Sequence, residues 1–191
     1  QVEPNSFSTT QRRNFMSFPR RSVFVYNFAS LPVKLELTAD KVKPVLFADN
    51  QLIYSIRETD LQLKSRLEVE VRDATIRELD INISNKFNVS NVRAADLNGY
   101  ELLKDGDQQK IRLYFRNAFI GKKLIDLSLE WSHKGWQEGD LLPTVKVLGT
   151  RTSRGFISIS AEDGLLTDLS SFENVRKIPV ASLPLRSGNV Q

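Results

Sequence analysis

The sequence predicts an all-β protein: an antiparallel β-sandwich of roughly ten to twelve short strands with at most one short helix. Three observations lead to this fold class. Apolar and polar residues alternate through most of the chain after Ser22, helical spacing is almost absent, and turn-forming dipeptides separate the alternating stretches. Parallel α/β folds are excluded, because the pattern leaves no room for their crossover helices.

The alternating stretches follow a short apolar run at residues 23–26, which is typical of a strand covered on both faces. Their apolar positions are Val33, Leu35 and Leu37; Leu67, Val69 and Val71; Leu79, Ile81 and Ile83; Ile111, Leu113 and Phe115; Ile125, Leu127, Leu129 and Trp131; Val145 and Val147; Ile157 and Ile159. Successive side chains of a strand point to opposite faces, so each stretch has one buried and one solvated face. Antiparallel sheets packed on one side have this pattern.

Turns and the single helix candidate complete the expected secondary structure. Turn dipeptides lie at Asn98-Gly99, Asp105-Gly106, Lys134-Gly135, Glu138-Gly139 and Asp163-Gly164. Residues 168–175 are the best helical segment, with Asp168 or Ser170 as the N-cap, and they allow one or two turns.

The charge distribution suggests three segments within the 191 residues. Residues 1–20 form a polar, basic arm, residues 21–186 form the sandwich with a possible lobe boundary near 139–143, and residues 187–191 form a tail. Of the net charge of +4, residues 1–21 carry +3, so the basic charge is concentrated at the arm, which either binds an anionic partner or is simply a soluble linker. We expect a piece of a longer or processed protein, because the chain starts at Gln1 and its one methionine is Met16.

Catalytic and metal-binding motifs are the next question, and the sequence argues against them. The chain has no cysteine and one histidine, His133, so thiolate or multi-histidine metal sites are excluded. We expect His133 to lie in a hairpin turn rather than to serve a nucleophile with Ser132 or Asp140. No catalytic residue, metal ligand or cofactor is predicted, and no apolar run reaches the ~18 residues of a membrane span.

Three residues are candidates for ligand binding: Trp136, Arg151 and Arg154. Trp131 is in phase with Leu127 and Leu129 and should be buried, whereas Trp136 belongs to no alternating stretch. An exposed indole can stack on a sugar ring, so Trp136 is the candidate carbohydrate contact. Arg151 and Arg154 lie between Gly149 and Gly155, where we expect a turn with two solvated arginines that could together hold an anion.

Acidic residues leave one enzymatic alternative open. A pair of carboxylates suffices for glycoside hydrolysis, and only their spatial separation identifies such a pair. Most acidic residues of the alternating stretches fall on the solvated faces: Glu68, Glu70, Asp80, Asp126 and Glu130. A solvated sheet face is the simpler interpretation of this set.

Three groups of segments carry a family resemblance. The first group is residues 79–83, 89–92 and 111–115, then Gly121 with residues 124–130. The second is Val147-Leu148-Gly149 with residues 154–159, which include the Arg154-Gly155 pair, and the third is Leu183-Pro184. In this order they resemble the β-rich regions of large, uncharacterised bacterial extracytoplasmic proteins. The resemblance spans residues 22–186 and implies an extracytoplasmic, all-β, non-enzymatic part of a larger chain. It implies no site residues.

The sequence therefore predicts a non-catalytic structural or interaction module of a larger envelope or secreted bacterial protein. Its expected partner is a protein or a neighbouring domain of the same chain, and a nucleic acid is not expected. A carbohydrate-binding module is the first alternative, with a polysaccharide as its ligand. A carboxylate-dependent hydrolase is the second, and fold class alone does not separate the three.

Overall fold

A computed structural model gives the structure of residues 26, 28–137, 140–167 and 173–179. The arm at 1–20, the tail at 187–191 and most of the helix candidate at 168–175 lie outside the described residues, so these expectations remain predictions. The chain divides into two units, Gln1–Lys41 and Val42–Gln191. In the described part of the first unit the alternation at Val33, Leu35 and Leu37 forms no strand, and these side chains are exposed.

The described residues of the second unit form seven strands: β1 (Val45–Ile56), β2 (Asp60–Ser84), β3 (Asn88–Ala94), β4 (Leu97–Asp105), β5 (Gln108–Ser132), β6 (Val145–Val147) and β7 (Thr150–Ala161). None of the described ranges contains a helix, and hence none contains a helix able to span a membrane. The predicted all-β sandwich is confirmed.

Two features differ from the expected strand list. β2 and β5 have 25 residues each, and each joins two alternating stretches that the sequence suggested were separate strands. The neighbouring strands β1 and β7 run parallel, whereas every other pairing is antiparallel.

Both layers of the sandwich are built on the long β2–β5 pair, which bends near its middle. One layer has the order β3–β5–β2–β1–β7, and the other is formed by β4, the first half of β5, the second half of β2, and β6. The β2–β5 register shifts on both sides of Ile76, and Asp73 and Gly121 adopt positive φ values of 68° and 94° beside these shifts. Bulges of this kind bend and twist paired strands.

The core lies between the two layers. Odd-numbered residues point inward along both halves of β2, from Leu61 to Val71 and from Leu79 to Ile83, and the same holds for β5. The inner face therefore stays in phase through the bend. Burying one such Leu, Ile or Val side chain contributes about 1.5–3 kcal/mol.

Buried polar groups of β1 hold the segment that leads into β6. The Tyr54 hydroxyl donates to the Pro143 carbonyl oxygen over 2.7 Å, and burial raises the pKa of the Tyr54 phenol well above its usual range. The Asn50 amide donates to the Val145 carbonyl oxygen over 3.3 Å and accepts from the Ser65 hydroxyl over 3.1 Å. The buried polar side chains of Tyr54, Asn50 and Ser65 are thus paired, as burial requires.

Gly155 is required where β7 approaches β1. A Cβ atom at this position would lie 1.8 Å from the Asn50 carbonyl oxygen, which is backbone and cannot move aside. We therefore expect Gly155→Ala to reduce the free energy of unfolding by about 2 kcal/mol or more, measured by urea titration. Gly99→Ala is the matched control, because a Cβ there meets nothing within 4 Å, and we expect a change under about 0.5 kcal/mol. Equal costs for the two variants would contradict the close approach.

Candidate interaction surface

β7 forms one edge of the five-stranded layer, and it is the longest edge strand among the described residues. It has 12 residues, against 7 in β3, 9 in β4 and 3 in β6. Its first half carries two charges, Arg151 and Arg154, and a register shift, which limit the strands that can pair with this part of the edge. Its second half reads Gly-Phe-Ile-Ser-Ile-Ser-Ala over residues 155–161 and contains neither a charge nor a proline.

Three apolar side chains surround this second half. Phe156 is 39% exposed, Ile157 is 45% exposed, and Ile53 of β1 is 44% exposed. Phe156 lies opposite Gln51, and Ile53 lies opposite Ser158, so Phe156 and Ile53 are diagonal neighbours on the outer face. Ile157 lies opposite the buried Leu52 and therefore points to the inner side. We call residues 155–161 with Ile53 the open edge.

The backbone groups of the open edge have a definite direction. The Glu162 amide donates to the Ile56 carbonyl oxygen of β1 over 2.9 Å. Because N–H groups alternate in direction along a strand, the even-numbered amides of β7 face β1 and the odd-numbered ones face away. Gly155, Ile157 and Ile159 therefore present their N–H and C=O groups to the side where no described strand pairs.

The two candidate arginines have different surroundings. Arg154 binds Asp49 through two hydrogen bonds, of which the Nη2–Oδ2 bond is 3.1 Å, and these bonds lower the pKa of Asp49. Arg151 lies in β7 at the register shift, where Thr150 pairs with Leu46 and Thr152 with Phe47. Both are exposed, but they lie in a strand and not in the expected turn. Their joint anion site remains a prediction.

Trp136 is half-buried, which differs from the exposed position expected from the sequence. Its indole N–H donates to the Arg57 carbonyl oxygen over 2.8 Å, and its ring lies 5.6 Å from Trp131 in an edge-to-face arrangement. Trp131 is also half-buried and packs against the core on the predicted face. Alternation could not identify the role of Trp136, because its hydrogen-bond acceptor, Arg57, lies in another segment of the chain.

His133 completes this aromatic cluster at the end of β5. Its ring centroid is 4.2 Å from that of Trp136, and its Nδ1 accepts the Gly135 amide over 3.1 Å. Its Nε2 is buried without a hydrogen-bond partner in the described residues. Asp140, which a nucleophile system would need beside His133, accepts the Gln137 amide instead.

Ion pairs cover the outer faces of both layers. In the first layer Arg66 pairs with Asp126, Lys122 with Glu68, and Arg72 with Glu70. In the second layer the Arg112 guanidinium donates two hydrogen bonds, of 2.8 and 3.0 Å, to the Asp80 carboxylate. The expected solvated carboxylates are thus mostly engaged by cations. No group of three His, Asp or Glu side chains in the described ranges is placed to hold a metal ion.

Lys123 is a buried cation that the sequence interpretation missed. Its ammonium donates to the Ala95 carbonyl oxygen over 2.8 Å and lies 4.9 Å and 4.7 Å from the ring centroids of Phe115 and Phe119. It has the inward phase of Ile125 and Leu127, which is the signal that could have identified it. Shallow concavities of about 590 and 400 Å³ lie on the same outer side of the layer and share Arg93.

No protein-family model matches the sequence, and no curated protein matches it. An M1 zinc metallopeptidase from Deinococcus radiodurans is similar with a TM-score of 0.37 and 12% identity, over 46% of this chain. This chain spans about a fifth of that protein, as 21% of it is covered.

Cohesin domains are also among the similar structures. A non-cellulosomal cohesin from Archaeoglobus fulgidus has a TM-score of 0.34 and 14% identity over 62% of this chain and 91% of its own. The seventh ScaB type I cohesin from Pseudobacteroides cellulosolvens has a TM-score of 0.26 and 12% identity over 64% and 99%. At these TM-scores the similarities support no argument about function.

Asp80 should make stability depend on acid pH. Hydrogen bonds from Arg112, with Lys110 3.6 Å away, lower the pKa of Asp80 from its ordinary value of 3.8. A lowered pKa stabilises the fold above pH 3.8, and this contribution is lost as the pH falls through the folded-state pKa. We expect Asp80→Asn to lower the free energy of unfolding by about 1 kcal/mol at neutral pH.

The measurement is urea unfolding at several pH values. The difference between Asp80→Asn and the parent should shrink as the pH falls through the folded-state pKa of Asp80, because the carboxyl then becomes protonated in the folded state as well. Glu58→Gln, which changes an exposed carboxylate with no ion pair among the described residues, is the control and should follow the parent curve. A deficit of Asp80→Asn that persists in acid would contradict the assignment.

Trp136 should contribute to stability. Trp136→Ala removes the hydrogen bond to Arg57 and the edge-to-face contact with Trp131, so the free energy of unfolding should fall by about 2 kcal/mol. Tyr100→Ala, at a 42% exposed edge position, is the comparison and should cost less. A parent protein that binds on a glycan array, with binding lost in Trp136→Ala but an unchanged unfolding curve, would instead support the carbohydrate alternative.

Proposed function

We propose that this sandwich is a non-catalytic interaction module of a larger envelope or secreted bacterial protein, and that it binds a protein segment by adding a strand at the open edge of β7. The observation that carries the proposal is the seven-residue run 155–161, which has no charge, no proline and outward backbone hydrogen-bonding groups. The extracytoplasmic location rests on the family resemblance described above.

The backbone supplies the affinity in this mode of binding. An added strand pairs with the N–H and C=O groups that an edge presents, and side chains on alternate positions give specificity. The groups of Gly155, Ile157 and Ile159 are available in the required alternation. Phe156 and Ile53 offer apolar contacts on the outer side, while Ile157 offers one on the inner side.

The other edges are less suited to strand addition. β3 contains a register shift between Val89 and Asn91 and carries Arg93. β4 contains a register shift between Leu97 and Gly99 and carries Glu101 and Lys104. β6 has only three residues. Charges, bulges and short length are the usual protections of an edge, and the second half of β7 lacks all of them.

The enzymatic alternative has less support. A general acid for glycoside hydrolysis needs a raised pKa. Hydrogen bonds from Arg112 and Arg72 instead lower the pKa values of Asp80 and Glu70. Asp126, which lines the concavity of about 590 Å³ on the outer face, is bound by Arg66. These observations favour a structural role for these carboxylates, in ion pairs on the sheet face, over a role in catalysis.

Strand addition can be tested with paired edge variants. Ile157→Lys places a charge in the open edge, whereas Leu102→Lys changes a residue of equal exposure, 44% against 45%, on the β4 edge. The 191-residue chain is immobilised and incubated with extracts of the source cells, and bound proteins are then cross-linked to it and recovered. We expect capture by the parent and by Leu102→Lys, and at least a tenfold loss with Ile157→Lys.

Hydrogen exchange then locates the contact. Binding of a captured partner should slow exchange at the outward amides of Gly155, Ile157 and Ile159, because they become hydrogen-bonded. Melting curves confirm that both lysine variants are folded. Undiminished capture by Ile157→Lys, or protection confined to β3 or β4, would overturn the proposal.

A further inference from the structure

We infer that the segment added at the open edge is β7 of a second copy of this chain, paired antiparallel about a twofold axis at Ile157. This inference rests on the proposed function, since it names the occupant of the same edge. The two five-stranded layers would then form one continuous sheet across the dimer. Closed twofold dimers are the commonest symmetric assemblies, and they require a surface that is complementary to itself.

The direction of the backbone groups restricts the register. The odd-numbered residues of the open edge present N–H and C=O outward, so an antiparallel copy must place odd residues opposite odd residues. A twofold axis at Ile157 satisfies this condition. It places Gly155 opposite Ile159 and Ser153 opposite Ala161 in hydrogen-bonded pairs.

Charges at the two ends of β7 complement each other in this arrangement. β7 starts with Thr150 and Arg151, and Glu162 and Asp163 follow its last residue, Ala161. An antiparallel copy brings its acidic end to the basic start of the first strand, with Asp163 next to Arg151 and Glu162 opposite Thr152. The Arg151–Asp163 contact occurs twice because of the symmetry. A parallel copy would instead set like charges side by side, which destabilises a pair.

Side chains on the outer face also fit this register. Phe156 lies opposite Ser158 of the copy, and Arg154 lies opposite Ser160, so no like charges face each other directly. The two Phe156 rings lie on diagonal positions, close enough for aromatic contact. A register centred on Phe156 would place Arg151 opposite Ala161 and lose the contact with Asp163. The charge pattern therefore selects the axis at Ile157.

Sedimentation velocity and light scattering of the 191-residue chain test the dimer over a dilution series. We expect a mass that rises from 21.8 kDa towards twice that value with concentration. Arg151→Glu and Asp163→Arg should each weaken the dimer by about tenfold, because each reversal makes two symmetric contacts repulsive. The double reversal restores opposite charges and should return the dissociation constant to within about threefold of the parent. Failure of this rescue would overturn the ion contacts and the register.

A single cysteine tests the register directly, because the chain has no cysteine of its own. Residue 157 lies on the proposed twofold axis, so spin labels attached to Ile157→Cys should be closer together across the dimer than labels at any other position of β7. Labels at Leu102→Cys, on the β4 edge, should give a much longer distance. A shortest distance at Phe156→Cys would overturn the axis at Ile157.

The outcomes separate this inference from the proposed function. A monomer at every concentration, with capture that still depends on Ile157, would overturn the second copy and leave strand addition in place. A monomer whose outward β7 amides are already protected from exchange would overturn both, because another part of the chain would then cover the edge. A dimer unaffected by Ile157→Lys, with the variant folded, would overturn the β7 interface.

Discussion

The two layers of this sandwich depend on one constraint: the inner face of the β2–β5 pair stays in phase over 25 residues of each strand. A shift by one residue in the bend would turn the second half of the pair inside out, because side chains alternate with a period of two. The matched shifts on either side of Ile76 prevent this, and the inward set continues from Val71 to Leu79. The β2–β5 pair thus supplies the central strands of both layers.

The bend itself needs local support. Asp73 and Gly121 take left-handed backbone angles there, and the residues of β2 between Val71 and Leu79 are not buried. Phe115 and Phe119 fill the inner side in an edge-to-face contact at 5.0 Å. The Lys123 ammonium lies beside these rings and donates to the Ala95 carbonyl oxygen. The buried charge is therefore stabilised by a hydrogen bond and by cation–π contacts with both phenylalanines.

The sequence predicted the faces of the strands well but not their connections. Alternation correctly predicted that the apolar residues of 67–71 and 79–83 point inward. It could not predict that one strand contains both stretches, because the bulge between them has no recognisable sequence signal. The same alternation at Val33 to Leu37 forms no strand, because pairing requires a partner that the pattern does not specify. The half-buried position of Trp136 could not be predicted for a related reason: its hydrogen bond to Arg57 joins residues 79 positions apart in the sequence.

The open edge is a consequence of how the chain changes layers. Tyr54 and Asn50 hold residues 143–145 over β1, β6 pairs with β2 for only three residues, and the Leu148-Gly149 turn leads back to the first layer. β7 then pairs with β1 in parallel and has no second neighbour among the described strands. Ile157 lies opposite the buried Leu52 and so has the inward phase, yet it stays 45% exposed at this edge. Alternation alone places Ile157 in the core, because it specifies the face of a strand but not whether the strand has a neighbour on both sides.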